Sequence, residues 1–343
     1  MSSICRFVGL LPRPCQRRAR SCAEWPEGTP LPLSKLGQVS YSLLLDLSRA
    51  VREARDAEWN ELRLEDLCLD SLFLAVRLSD GHCGAAMNYD LEGHHSITVA
   101  QVDQTRLQLL EIAQGDPLLW DYLQQDTPSD AHNALWVLIL SALSAPVLLD
   151  EERLSSMGMR SQAGRIPLRE FRERGARTVT VVGFGGYLEE ALAQDWLETV
   201  NCIDFLATSE DFKQRNPYPF NLREEALKRM NVVYDDGANA QELLEAADVL
   251  CLSASTLCNR SLEALLPSAR EGRVIILEGP SGGVLPGPLF DRGVTHLVHN
   301  PIDVDFVQLC HRFSRQNRVG LQKVSSGRFI DIILPEQRTV TRA

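Results

Sequence analysis

The sequence of 343 residues predicts an α/β protein: a Rossmann-like, doubly wound parallel sheet preceded by a smaller α+β N-terminal domain. Three observations carry this. From residue 178 onward, short runs of β-formers alternate with helical patterns, the arrangement of a parallel sheet with crossover helices. Those runs are apolar throughout rather than alternating, as strands covered on both faces are. Several of them end in glycine- or serine-rich turns, beginning with "TVTVVGFGGYLEEAL" at 178–192.

The elements follow in order. Strand "TVTVVGF" leads to helix "YLEEALAQDWL" and strand "VNCIDFLA"; helix "REEALKRM", strand "NVVYDD" and helix "AQELLEAA" come next. Strand "DVLCLSA", helix "SLEALLPSARE", strands "RVIILEG" and "THLVHN" and helix "VDFVQLCHRFS" complete the set. Upstream, "LGQVSYSLLLDLSRAVREA" has apolar residues at helical spacing. "LCLDSLFLAVRLSDGHCGAAMNYD" reads as two strands around a turn at Ser79-Asp80-Gly81. "SITVAQVDQTRLQLLEIAQ" is mixed and ends helical, and "SDAHNALWVLILSAL" is a buried helix capped by Ser129 or Asp130. The boundaries are then a basic extension over 1–35, an α+β domain over 36–150, a polar linker over 151–177, the Rossmann-like domain over 178–335 and a tail over 336–343.

Bulk properties exclude some functions. A net charge of −11 argues against nucleic acid and against an anionic membrane as partners. The longest apolar run, "ALWVLILSALSAPVLL" (134–149), is shorter than a bilayer span and contains Ser141 and Ser144, which fits a buried helix. The nine cysteines lie at scattered spacings with no CxxC pair. That is the pattern of a reduced, cytoplasmic protein and gives no framework for structural zinc. The first 35 residues carry five Arg and no acid before Glu24, and lack the apolar core of a secretory signal.

Ligands of open parallel sheets bind beyond the carboxyl ends of the strands, and three such ends are rich here. The first is Gly183-Phe184-Gly185-Gly186 with Glu189. Glycines there let a backbone approach a ligand, and a helix N-terminus offers N–H donors. A dinucleotide loop wants a third glycine where Leu188 stands. Asp204, at the end of the next strand, sits where a Rossmann protein holds a ribose hydroxyl, and Asp235 and Asp236 end the third strand. The second end crowds Ser253, Ser255, Thr256, Cys258 and Asn259 into one loop. The third is Gly279-Pro280-Ser281-Gly282-Gly283, led by Glu278. Each has a plainer reading as helix caps or tight turns.

Seven histidines were weighed as metal ligands. His94-His95 reads as a hairpin tip, and His296 and His299 fall on opposite faces of their strand. A soft-metal pair would combine Cys258 with His299. No GxSxG nucleophile elbow is present.

The segments "VVGFGGYLEE", "AADVLCLSASTLCNRSLEALL" and "ILEGPSGGVLPGPLFDRGVTHLV" resemble the heavy-metal chelation domain family, domain of unknown function 364. Thr256, Leu257 and Asn259 match its first motif; Gly279, Pro280, Ser281, Pro286, Leu289, Phe290, Gly293 and Val294 match its second. Arg260, Ser261 and the Gly282-Gly283 pair depart from it. "GHCGAAMNYD" and "NALWVLILSALSA" are similar to segments of the upstream domain, which in that family resembles the N-terminal domain of enolases. The resemblance covers roughly residues 40–330. It implies a two-domain fold with a cleft at the carboxyl ends of the sheet and a ligand there, but no reaction.

Three functions are therefore carried forward. One is a small-molecule, anion or metal-chelate binding protein. The second is a biosynthetic enzyme acting on a small anionic metabolite, with a divalent metal or an adenosine-containing cofactor, S-adenosylmethionine or NAD. The third is a non-catalytic assembly partner. A homodimer is expected on general grounds.

Overall fold

The computed structural model describes residues 42–55, 62–69, 73–88, 130–204, 230–268, 272–313 and 330–333, with residues 210, 226 and 228 singly. The basic extension, the "SITVAQ" stretch, His94-His95, most of the "REEALKRM" helix and the tail lie outside the described residues.

The chain forms a mixed α/β structure with a large, mostly parallel sheet and a smaller antiparallel one. The small sheet has the order β1 (Leu64–Cys68), β2 (Phe73–Leu78), β3 (Cys83–Met87). The predicted turn at Ser79-Asp80-Gly81 does join two strands, with Gly81 at φ 86°. The third strand, β1, is additional, and Leu67 and Cys68 of the expected first strand belong to it rather than to β2.

Helix α2 (Asp130–Leu148) packs on this sheet, and helix α1 (Ser42–Ala54) packs on α2. From Asn133 to Ser144 every residue of α2 is buried, so the helix has no solvent face over that span. One side meets β2 and β3; the other joins the core that runs under the large sheet. Contact with β3 is close enough to require Gly84. A Cβ there would lie 2.4 Å from the Ala142 nitrogen and 2.6 Å from the Leu138 oxygen.

Segment 151–177, expected to be a linker, is built into the fold. It holds α3 (Glu151–Ser156), strand β4 (Arg160–Ala163) and a 3₁₀ turn (Leu168–Phe171). Three of the four β4 residues are exposed, so no apolar pattern marks the strand. Then come β5 (Thr178–Val182), α4 (Gly186–Ala193), β6 (Thr199–Ile203), β7 (Asn231–Asp235), α5 (Ala240–Ala246) and β8 (Val249–Ser253). Next comes α6 (Ser255–Cys258), and the helix expected over 261–271 is, in its described part, α7 (Leu262–Leu265) and a 3₁₀ turn (Leu266–Ser268). The chain continues through β9 (Val274–Glu278), α8 (Gly287–Phe290), β10 (His296–His299), α9 (Val304–Phe313) and β11 (Ile330–Ile333).

The eight strands lie in the order β4-β11-β10-β9-β8-β5-β6-β7. Strands β5 to β10 are parallel; β11 runs antiparallel to both β10 and β4. Strand β5 is central, with β6 on one side and β8 on the other. The strand order reverses there, and a crevice opens above such a point. One face of the sheet packs on α4 and the 3₁₀ turn through Val181, Leu188, Cys202 and Ile276. The other packs on α2 through Leu252, Leu277 and Leu297.

Replacing Gly84 by Ala should lower unfolding free energy by about 3 kcal/mol, because the clash is with helix backbone and cannot be relieved by a rotamer change. Urea unfolding of the two proteins checks this. A loss below about 0.5 kcal/mol, the ordinary range of surface substitutions, would show that α2 is free to move off β3.

Candidate site at the carboxyl edge of the large sheet

The loop after β5 is shaped by close approach. Gly183 has φ 89°, and a Cβ on it would stand 2.9 Å from the Ser253 Cβ at the end of β8. Only glycine satisfies both conditions easily. Gly185 is the N-cap of α4 and extended; it supplies no side chain to cap the helix. Its Cβ position lies 3.4 Å from Glu278 Oε2. Gly186 leaves room for a guanidinium, since its Cβ would meet an Arg165 terminal nitrogen at 2.7 Å. Leu188, in place of the third glycine, is buried in the core between α4 and the sheet. Glu189 is exposed in the first turn of α4, where its charge suits the helix dipole.

The centre of this edge is an ion pair. Arg165 Nε lies 2.9 Å from Glu278 Oε1, and the two side chains are 22% and 10% exposed. The guanidinium carbon stands 4.1 Å from the centre of the Tyr187 ring. The Tyr187 hydroxyl donates to the Ile166 carbonyl at 2.8 Å, and the Leu168 N–H donates to Glu190 at 2.6 Å. These bonds fasten the segment after β4 to α4 and so place Arg165. The backbone N–H of Tyr187 faces the Glu278 carboxylate. Burial outweighs the arginine and this N–H, and pushes the Glu278 carboxyl up to about 7; Glu189 and Glu190 add to the rise.

The loop after β8 divides its groups. Ser253 and Ser255 hydroxyls lie 2.8 Å apart, both half-buried beside Gly183. Thr256 is buried and donates to the Ser253 carbonyl at 2.7 Å. The Asn259 side-chain oxygen accepts from the Ser261 N–H and hydroxyl, which holds the turn where Arg260 takes φ 63°. Thr256 and Asn259 thus build their own loop. Asp235 does likewise, accepting from Gly237 N–H, Asn239 N–H and the Asn239 amide at the start of α5. Asp204 ends β6, half-buried, its N–H given to the Asp235 carbonyl.

The loop after β9 faces the small sheet. Gly279 takes φ 129° and gives its N–H to Val298; Pro280 opens a 3₁₀ turn and its carbonyl accepts from Gly283. Gly282 packs on Ala254 and Leu297, where a Cβ would come within 3.3 Å. Ser281 is buried, and its hydroxyl accepts the Met87 N–H at 2.9 Å. Ser141 of α2 takes the Ala85 N–H at 3.3 Å. Strand β3 is an edge strand, and these two hydroxyls satisfy outward N–H groups two residues apart on it.

Cys258 lies in the same junction. It is buried, and burial pushes its thiol up to about 11. Cys202 and Cys251, in the sheet, are also raised by burial. His299 ends β10 on the face opposite Glu278, because Val298 is the register partner of Glu278. It is buried, its Nε2 has no hydrogen-bond partner, and burial lowers it to about 4. Among the described residues, no group of three or more His, Cys, Asp or Glu is placed to hold a metal ion.

The structure thus brings together Gly183, Gly185, Gly186 and Ser255, and adds Arg165, Tyr187 and Glu278. It places Cys258, Ser281 and Gly282 at the junction with the small sheet, and leaves Thr256 and Asn259 to local turns. Arg165 was missed. Its sequence setting, "AGRIPL", carries no ligand pattern, and only the fold carries it to Glu278.

Ser281→Ala should destabilise the protein by about 1–2 kcal/mol, since the Met87 N–H would lose its acceptor; urea unfolding measures it. His299 supplies a pH dependence. Its folded value lies below the ordinary 6.5, so its contribution is complete above pH 6.5 and is lost as pH falls toward 4. His299→Gln should flatten stability across that window in thermal unfolding at stepped pH. An unchanged acid slope would mean that the imidazole is not held neutral.

Residues 167–303 match DUF364, the family described as "Putative heavy-metal chelation". No curated protein matches the chain. Two crystal structures of DUF364 proteins of unknown function share its fold. One is from Pyrococcus horikoshii, with TM-score 0.56 and 16% identity, over 85% of this chain and 99% of that one. The other is from Desulfitobacterium hafniense, with TM-score 0.56 and 14% identity, over 87% of this chain and 100% of that one.

Proposed function

We propose that the protein binds a small polar molecule or a metal chelate at the carboxyl edge of the large sheet, between the loop after β5 and those after β8 and β9. The observation that carries this reading is the Arg165–Glu278 pair set against Gly185 and Gly186. A charged pair taken largely out of water contributes little net stability. Its place at the strand-order reversal is where α/β sheets bind ligands.

The parallel strands, numbered in chain order, lie 3-2-1-4-5-6 across the sheet. That order supports a Rossmann-like, doubly wound reading of this half. We read the small sheet with α1 and α2 as the enolase N-terminal-like domain, and the ligand as lying in the cleft between the two. The family description supports a metal-bearing ligand. The described side chains do not make a metal site alone: His299 offers a neutral nitrogen, but burial holds the Cys258 thiol protonated. We therefore favour a chelate that brings its own donors. A second reading, an enzyme that moves a proton at Glu278, is favoured by the rise of that carboxyl to about 7.

Native mass spectrometry of freshly purified protein, set against its denatured mass, tests the binding reading. The expected result is an added small-molecule mass that denaturation releases and that Arg165→Met abolishes. An added mass unchanged in Arg165→Met would place the ligand elsewhere. A protein that carries no added mass, and gains no thermal stability from metal chelates or small polar metabolites, would defeat the reading.

A further inference from the structure

A helix N-terminus after the first strand of such a sheet ordinarily receives a phosphate, because its first N–H groups have no partner within the helix. Here that position is taken from inside the chain. Gly185 provides no side-chain cap, and the Glu278 carboxylate, arriving from the end of β9, faces the Tyr187 N–H, with Oε2 3.4 Å from where a Cβ on Gly185 would stand. Arg165, the cation that could greet a phosphate, is paired with the same carboxylate at 2.9 Å and pressed over Gly186.

We propose that Glu278 is a specificity-determining residue: its carboxylate is a built-in anion seated at the N-terminus of α4, and it makes the β5–α4 loop refuse phosphates and other oxyanions, leaving the crevice to neutral or cationic parts of a ligand. An entering oxyanion would meet a like charge at contact distance and find both of its natural partners engaged. This deepens the binding reading and rests on it only for the location of the site.

The refusal is conditional on charge. The groups facing Glu278 are Arg165, the Tyr187 ring and N–H, Cys251 in β8, and Glu189 and Glu190 on α4. Burial raises Tyr187 and Cys251, so both stay neutral from pH 6 to 8, and Glu278 itself, at about 7, is the group that changes. Protonated, it gives up its claim on Arg165 and on the Tyr187 N–H.

Sulfate is the probe, since its charge is constant over this range. Sodium sulfate is titrated into ¹⁵N-labelled protein at fixed ionic strength, and the Tyr187 and Leu188 amide shifts are followed. Wild type at pH 8 should show no saturable shift. Wild type at pH 6, and Glu278→Gln at both pH values, should bind at least about tenfold more tightly, the effect of one pKa unit of interaction. Arg165→Met in the Glu278→Gln background should abolish the gain. Equal binding by wild type at pH 8 and pH 6 overturns the proposal, as does no saturable shift under any condition, or a gain at pH 6 that a folded Glu278→Gln lacks at pH 8. Should the variant not fold, the two wild-type titrations decide. Because sulfate reports on the loop itself, this test can fail while a ligand mass is still found, and the reverse.

Discussion

Helix α2 has no water-facing side over Asn133–Ser144, and the architecture follows from that. A helix apolar all round must be covered all round. The small antiparallel sheet covers one side and the large sheet's core the other. Its two serines are spent on backbone: Ser141 receives the Ala85 N–H and Ser144 receives the Leu285 N–H. Together with Ser281 on Met87, hydroxyls thus stitch the edge strand β3 to the rest without a continuous sheet. These bonds tie the loop after β9 to β3, and Glu278 leads into that loop.

The two sides of the large sheet divide the chemistry between them. On one face, burial and an arginine compete over Glu278, and burial prevails. On the other, burial alone keeps His299 neutral. Two titrating groups on neighbouring strands are thus moved toward their uncharged forms, in opposite directions on the pH scale.

Much of the fold could be read from residues alone, and the failures have a common cause. Strands β5, β6, β8, β9 and β10 are largely buried on both faces and so show continuous apolar runs. Strand β4, "RSQA", lies at the sheet edge and shows no such run; β11 is four residues long and remote in sequence from its partners. At the site, the glycines after β5 announced themselves because positive φ and close approach demand glycine. Thr256 and Asn259 looked equally ligand-like, yet their side chains close local turns. A hydroxyl or amide that caps a turn and one that meets a ligand are the same residue in sequence; only the partner differs. Arg165 was hidden for the opposite reason, since its partner is supplied wholly by the tertiary fold.

The position of β11 bears on how the chain is made. In the sheet it separates β4 from β10, so among the described residues β4 has β11 as its one strand neighbour. On a ribosome β4 emerges before the parallel strands, yet its partner in the sheet arrives only with residues 330–333. The parallel strands can pair among themselves first, and β4 joins them once β11 is in place. Arg165 follows a different order, because the bonds of Ile166 and Leu168 to α4 seat it without β11.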